Sequence, residues 1–136
     1  VQAELTQNNY PGADIIYNQI YQGQIKVAPE PDQSLGNSFA GFHRLDAGEK
    51  EVICLYLSSG TGFLLTDDGA AAKFCHCHGL RFVNALLVPK ILWYNGDMTK
   101  PQAMALTKKI TAFGRYSDQV KTIARNMNRK ALLAFL

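Results

Sequence analysis

The chain has 136 residues, enough for one compact domain and too few for two ordinary ones. Hydrophobic residues make up 47% of it and charged residues 18%, which excludes a disordered polymer and predicts a sizeable core. A formal charge of +3 is too small to mark a nucleic-acid binder by itself, and with only 11 Asp and Glu in the chain, any place where acids converge carries weight.

Three cysteines, Cys54, Cys75 and Cys77, make no disulfide framework: the count is odd, and the last two are too close for an ordinary bridge. A reducing cytoplasm is the expected compartment. The longest apolar stretch, residues 85–94, is interrupted by Pro89 and Lys90, so no membrane span is expected. The chain opens on Val1, and VQAEL reads as the start of a helix, so an N-terminal portion is expected upstream of it.

In chain order, residues 1–8 read as a short helix and Asn9-Tyr10-Pro11-Gly12 as a turn. Residues 13–22 carry Ile15, Ile16, Ile20 and Tyr21 roughly on one helical face, and Gly23 stops them. Ile25-Lys26-Val27 alternates like a brief strand. Residues 29–41 hold two prolines and two glycines, the composition of a flexible loop. A helix is expected over 46–58, with Asp46 as its cap, Glu49 completing a capping box and Gly60 ending it.

The run Gly62-Phe63-Leu64-Leu65 is apolar throughout, as in a central strand of a parallel sheet. Helix 70–78 follows, closed by Gly79, and then strand 80–83. Residues 85–94 read as helix, kinked at Pro89 or begun anew there. Two further helices, 100–113 with Pro101 in its first turn and 117–128, complete the chain. This order predicts an α/β fold, a short parallel sheet flanked by helices with a helical C-terminus, in a single domain spanning 1–136.

Open α/β sheets place ligands at the carboxyl ends of their strands. Asp67 and Asp68 stand there, directly after the apolar strand. Oxygen ligands of this kind suit Mg²⁺ or Mn²⁺, which need only one or two protein carboxylates. The competing reading makes Asp68 a helix cap and leaves Asp67 facing water. Glu49 and Glu51 open the preceding helix; two residues apart, they point in different directions, and the helix dipole alone favours acids there.

Residues 45–57 (LDAGEKEVICLYL), 62–75 (GFLLTDDGAAAKFC) and 79–92 (GLRFVNALLVPKIL) together resemble the back half of PIN domains, with the likeness extending over 45–128. The features that carry it are a Gly-Glu helix start, a Thr-Asp-Asp strand end and an alanine-rich helix leading into Gly-Leu and another strand. The resemblance implies a three-layer PIN-like fold and a metal-dependent endoribonuclease that hydrolyses single-stranded RNA with Mg²⁺ or Mn²⁺. It also implies a toxin of a toxin–antitoxin pair, with an antitoxin protein as partner; a homo-oligomer, a dimer, is expected. Carried over position by position, Asp68 and Asp67 match the strand-end acids as catalytic and metal-binding groups. Glu49 matches the Gly-Glu acid in both roles, and Glu51 is its alternative register as a metal ligand. Glu4, in VQAEL, resembles an earlier helix glutamate that joins the metal. The family's first-strand aspartate has no counterpart here, since that strand would lie upstream of Val1, and Asp14 does not replace it. A non-catalytic binding module for nucleic acid or protein on the same fold is therefore the alternative.

Other residues are read more plainly. Cys75-His76-Cys77-His78 resembles a metal box, but four consecutive ligands on a helix point all round it. Lys73, Arg81 and Lys90 are candidates for backbone phosphates, with scattered surface cations as the commoner explanation. Trp93 and Tyr94 are candidates for base stacking or, more commonly, core. His43 has no evident partner, and Arg115, Tyr116 and Lys121 read as a basic face or a solvated helix surface.

Overall fold

The computed structural model describes residues 12–60 and 62–133. The expected helix over 1–8, and Glu4 with it, lies outside the described residues. The chain divides into two compact units at Gly60. Among the described residues no helix is long and apolar enough to cross a membrane.

The first unit opens with α1, Ala13–Tyr21. Ile25 and Val27 follow as exposed coil, not as the expected strand. Among the described residues the three alternating positions between Gly23 and Pro29 pair with no other segment, and a strand without a partner gains no ladder hydrogen bonds to offset its ordering. Within the proline-containing stretch a short 3₁₀ turn, Gln33–Gly36, forms where Asp32 accepts from the Ser34 N–H at 2.9 Å. Gly36 is required there. A Cβ at that position would stand 2.1 Å from the Phe42 ring, which packs directly on its backbone. A second 3₁₀ turn, Phe42–Arg44, leads into α2, Ala47–Ser59. The capping box expected from Asp46 and Glu49 is present: Glu49 N–H donates to Asp46 Oδ1 at 2.9 Å, and Asp46 N–H donates to Glu49 Oε2 at 3.1 Å. Gly60 terminates α2 with φ 63°, a conformation that suits glycine. Helix α2 lies on the Gln33–Gly36 turn, where the buried Cys54 thiol donates to the Gln33 carbonyl at 3.7 Å.

The second unit holds β1 (Leu64–Leu65), α3 (Gly69–Cys77) and β2 (Phe82–Val83), a parallel βαβ crossover with Leu64 opposite Phe82 and Leu65 opposite Val83. Among the described residues the sheet has these two strands. Leu64 is buried and Leu65 exposed, so β1 alternates instead of burying both faces as a central strand would. Residues 85–87 form a turn, and α4, Val88–Asn95, starts afresh with Pro89 in its first turn, where the missing N–H costs nothing. Next come α5, Lys100–Phe113, α6, Asp118–Asn126, and the short α7, Arg129–Leu133. Val83, Leu86, Leu87, Ile91, Ala124 and Leu132 form the core of this unit, with Tyr116, Val120 and Met127 packed on it. A short parallel sheet flanked by helices and followed by a helical C-terminus is the α/β arrangement expected from the sequence.

Candidate functional site

The carboxyl end of β1 turns into α3 through Thr66, Asp67 and Asp68. Asp68 is the N-cap: its Oδ1 accepts from the Ala70 N–H at 2.7 Å and the Ala71 N–H at 2.8 Å, satisfying donors that the first helical turn leaves unpaired. Its own N–H donates to Thr66 Oγ1 at 3.2 Å. The capping role proposed for Asp68 as an alternative is thus occupied.

Asp67 does more than face water. Although exposed, its carboxylate is held at both oxygens: Oδ1 accepts from the Ala85 N–H at 2.9 Å, and Oδ2 accepts from the Tyr116 hydroxyl at 2.7 Å. The first bond ties the end of β1 to the turn after β2. The second reaches 49 residues along the chain to the segment before α6. Burial pushes the Tyr116 phenol up to about 12, and the hydrogen bond and negative charge of Asp67 act in the same direction. The hydroxyl therefore stays a donor throughout the neutral range. Gly114 makes room for it, since a Cβ there would stand 2.0 Å from the Tyr116 ring.

The sequence places Tyr116 in a basic face or on a solvated helix surface. A tyrosine just before a helix cap carries no local mark of a partner so distant, so only the packing reveals it.

In the first unit Glu49 and Glu51 lie on the first turns of α2, both half-buried, with Glu49 engaged in the capping box. Among the described residues no group of three or more His, Cys, Asp or Glu side chains is assembled to hold a metal ion. The donor chemistry at the end of β1 nevertheless fits a hard divalent cation. Each carboxylate oxygen offers two lone pairs, so Asp67 keeps acceptor capacity after both hydrogen bonds, and ligating carboxylates are commonly fixed by such outer partners.

The Cys-His run does not converge. Cys75 is fully buried, its thiol pushed up to about 11 by that burial, whereas Cys77 and His76 are exposed and the His78 ring lies 4.5 Å from Phe74. A thiol held protonated in a core is a poor metal ligand. Lys90 is also spoken for. Its ammonium donates to the carbonyls of Ala124, Arg125 and Met127 at 2.7–2.8 Å, closing the C-terminus of α6, and burial lowers its pKa. All three ammonium protons have partners there, which corrects its reading as a phosphate contact.

A family model described as PIN domain matches residues 1–126. The chain belongs to the PIN-domain family. No curated protein and no solved structure matches it. The PIN fold is of nuclease type, and PIN domains generally use divalent metal ions. Within the βαβ unit of this PIN domain, Asp67 and Asp68 stand in the link between β1 and α3, at the carboxyl end of β1.

Proposed function

We propose that this PIN domain is a metal-dependent endoribonuclease that hydrolyses phosphodiester bonds in single-stranded RNA. The observation that supports it most is the Asp67 carboxylate, fixed at both oxygens at the carboxyl end of β1. In this reading Asp67 and Asp68 are catalytic and hold Mg²⁺ or Mn²⁺; by likeness to the family, Glu49 is assigned as metal ligand and catalytic group, and Glu51 and Glu4 as metal ligands. The bound ion supplies charge stabilisation at the phosphoryl oxygens and an acidified water. The chain's own residues do the rest. Tyr116 and the Ala85 N–H keep Asp67 in one rotamer, so little reorganisation is needed on loading. Asp68 is held by the first turn of α3, whose N-terminal dipole favours its negative charge. A role as the toxin of a toxin–antitoxin pair, a homodimeric state and a cytoplasmic location belong to the same proposal.

The test is cleavage of an end-labelled single-stranded RNA with Mn²⁺ or Mg²⁺, with EDTA as control. Internal cuts that disappear in Asp67→Asn and Asp68→Asn are expected. Cutting that persists in both variants, or that survives EDTA, refutes the assignment.

The alternative reading, a non-catalytic binding module on the PIN fold, is favoured by one observation: Asp68 and Glu49 both spend hydrogen bonds on helix capping. It predicts a folded protein with no measurable Mn²⁺ affinity.

A further inference from the structure

The modest overall charge conceals a strong asymmetry. Residues 61–136 carry 11 Lys and Arg against 4 Asp, whereas residues 1–60 carry 3 against 7 Asp and Glu. The excess is concentrated further, because residues 100–130 hold 8 cations and the single acid Asp118. Such a block in a chain of ordinary net charge creates a local positive field that the total does not report.

The same segment walls a cavity. Helices α4, α5 and α6 border an open groove of about 870 Å³ with an apolar floor that includes Leu86, Ala103 and Met104, within the range of about 300–1,000 Å³ that accommodates drug-sized ligands. Lys90, Lys100, Lys108, Lys121 and Arg125 line it, and among the described residues no Asp or Glu does. Lys90 is consumed by the α6 carbonyls, and Lys121 is paired with Asp118 at 3.2 Å, so the charge presented to a ligand comes chiefly from Lys100, Lys108 and Arg125, all exposed. Lys100 and Lys108 stand eight residues apart on α5, a rise of about 12 Å along one helix. Beside Lys100 is an aromatic wall: Trp93 and Tyr94 stack with centroids 4.6 Å apart, and the Lys100 ammonium lies 5.3 Å from the Trp93 ring centroid.

We infer that this groove between α4, α5 and α6 binds single-stranded RNA, with Lys100, Lys108 and Arg125 meeting phosphates and the Trp93–Tyr94 wall receiving a base. Charge complementarity calls for a polyanion, and the aromatic wall favours one that carries flat π-faces over an acidic peptide. A groove lined by cations and stacking aromatics is the chemistry by which single strands are held without reading their sequence. The inference rests on the chain acting on RNA and adds a place where the strand is gripped, separate from the acids at the end of β1.

Trp93 is the only tryptophan in the chain and lines the groove, so its fluorescence reports occupancy directly. The probe is a short 2′-O-methyl RNA oligonucleotide, titrated in EDTA so that binding is measured without cleavage. Quenching of Trp93 is expected, with log affinity falling against log salt by about 0.7 per phosphate contacted. The double variant Lys108→Glu/Arg125→Glu is expected to bind at least about tenfold more weakly at low salt, with a slope shallower by about 1.4, two contacts' worth. Both side chains are exposed, but Arg125 lies in the last turn of α6, where a glutamate opposes the helix dipole, so a small drop in melting temperature is expected; Lys108→Gln/Arg125→Gln and Lys100→Gln, which add no negative charge, give milder readings. Unaltered affinity and slope in the variants overturn the inference, as does tighter binding of an acidic peptide or of double-stranded RNA to the same groove. If the variants bind RNA normally while metal-dependent cleavage stands, the groove assignment falls and the nuclease reading survives. If they lose binding in a protein that never cleaves RNA, the groove stands and the nuclease reading falls.

Discussion

Replacing Tyr116 with phenylalanine removes one hydroxyl while keeping the ring that packs on the core of the second unit. What is lost is the 2.7 Å hydrogen bond to Asp67 Oδ2. A hydrogen bond to a charged group contributes roughly 1.5–3 kcal/mol when well desolvated. Asp67 is exposed, so water replaces the lost donor in part, and a cost of about 1 kcal/mol is expected from the lower end of that range. In a chain of this size that corresponds to a melting-temperature drop of roughly 3–5 °C. A double-mutant cycle with Asp67→Ala, followed by urea denaturation, isolates the pair, and a coupling of at least about 0.5 kcal/mol is expected for residues in contact. The bond also sets a pH dependence. The phenol's folded pKa of about 12 lies above the ordinary 10, so the folded state holds the proton more tightly. The associated stability is complete below pH 10 and is lost as pH rises through 12, and Tyr116→Phe lacks that decline. Tyrosinate absorbance checks the same point, since one of the six tyrosines should ionise late in the folded protein. A coupling near zero, together with six tyrosines ionising alike, refutes the clamp on Asp67.

Asp68→Asn and Asp68→Ala separate capping from chemistry. Asparagine caps as well as aspartate, so its stability should stay within about 0.5 kcal/mol of wild type, whereas alanine should lose about 1 kcal/mol; both should abolish metal-dependent RNA cleavage, measured beside thermal melts. Gly36→Ala should destabilise the chain by about 1–3 kcal/mol in urea titrations, because the added methyl drives into the Phe42 ring. Lys90→Met keeps the apolar stem but leaves three carbonyls at the end of α6 without their donor, so a loss of about 2 kcal/mol and faster amide exchange at the end of α6 are expected.

Residues that specify their own neighbours were legible without coordinates. Asp46 with Glu49, Gly60, Gly79 and Pro101 announce helix boundaries because capping and termination depend on donors and acceptors within a few residues. The apolar runs around residues 64 and 82, joined by a helix, gave the parallel crossover for the same reason of short reach. The three-residue alternation at Ile25–Val27 misled because a strand is defined by its partner, which local pattern does not supply.

Sequence alone therefore determined the β1–α3–β2 crossover and the helices after it, the capping aspartates and the placing of Asp67 and Asp68 at a strand's carboxyl end. Tertiary structure alone decided what those side chains touch. Tyr116 reaches Asp67 across 49 residues, and Lys90 finds carbonyls 34 to 37 residues away, through packing of one segment on another. The physical reason is one of range: a cap is settled by the geometry of a single turn, whereas a long-range hydrogen bond forms only after burial of the surrounding apolar surface has brought its two ends together.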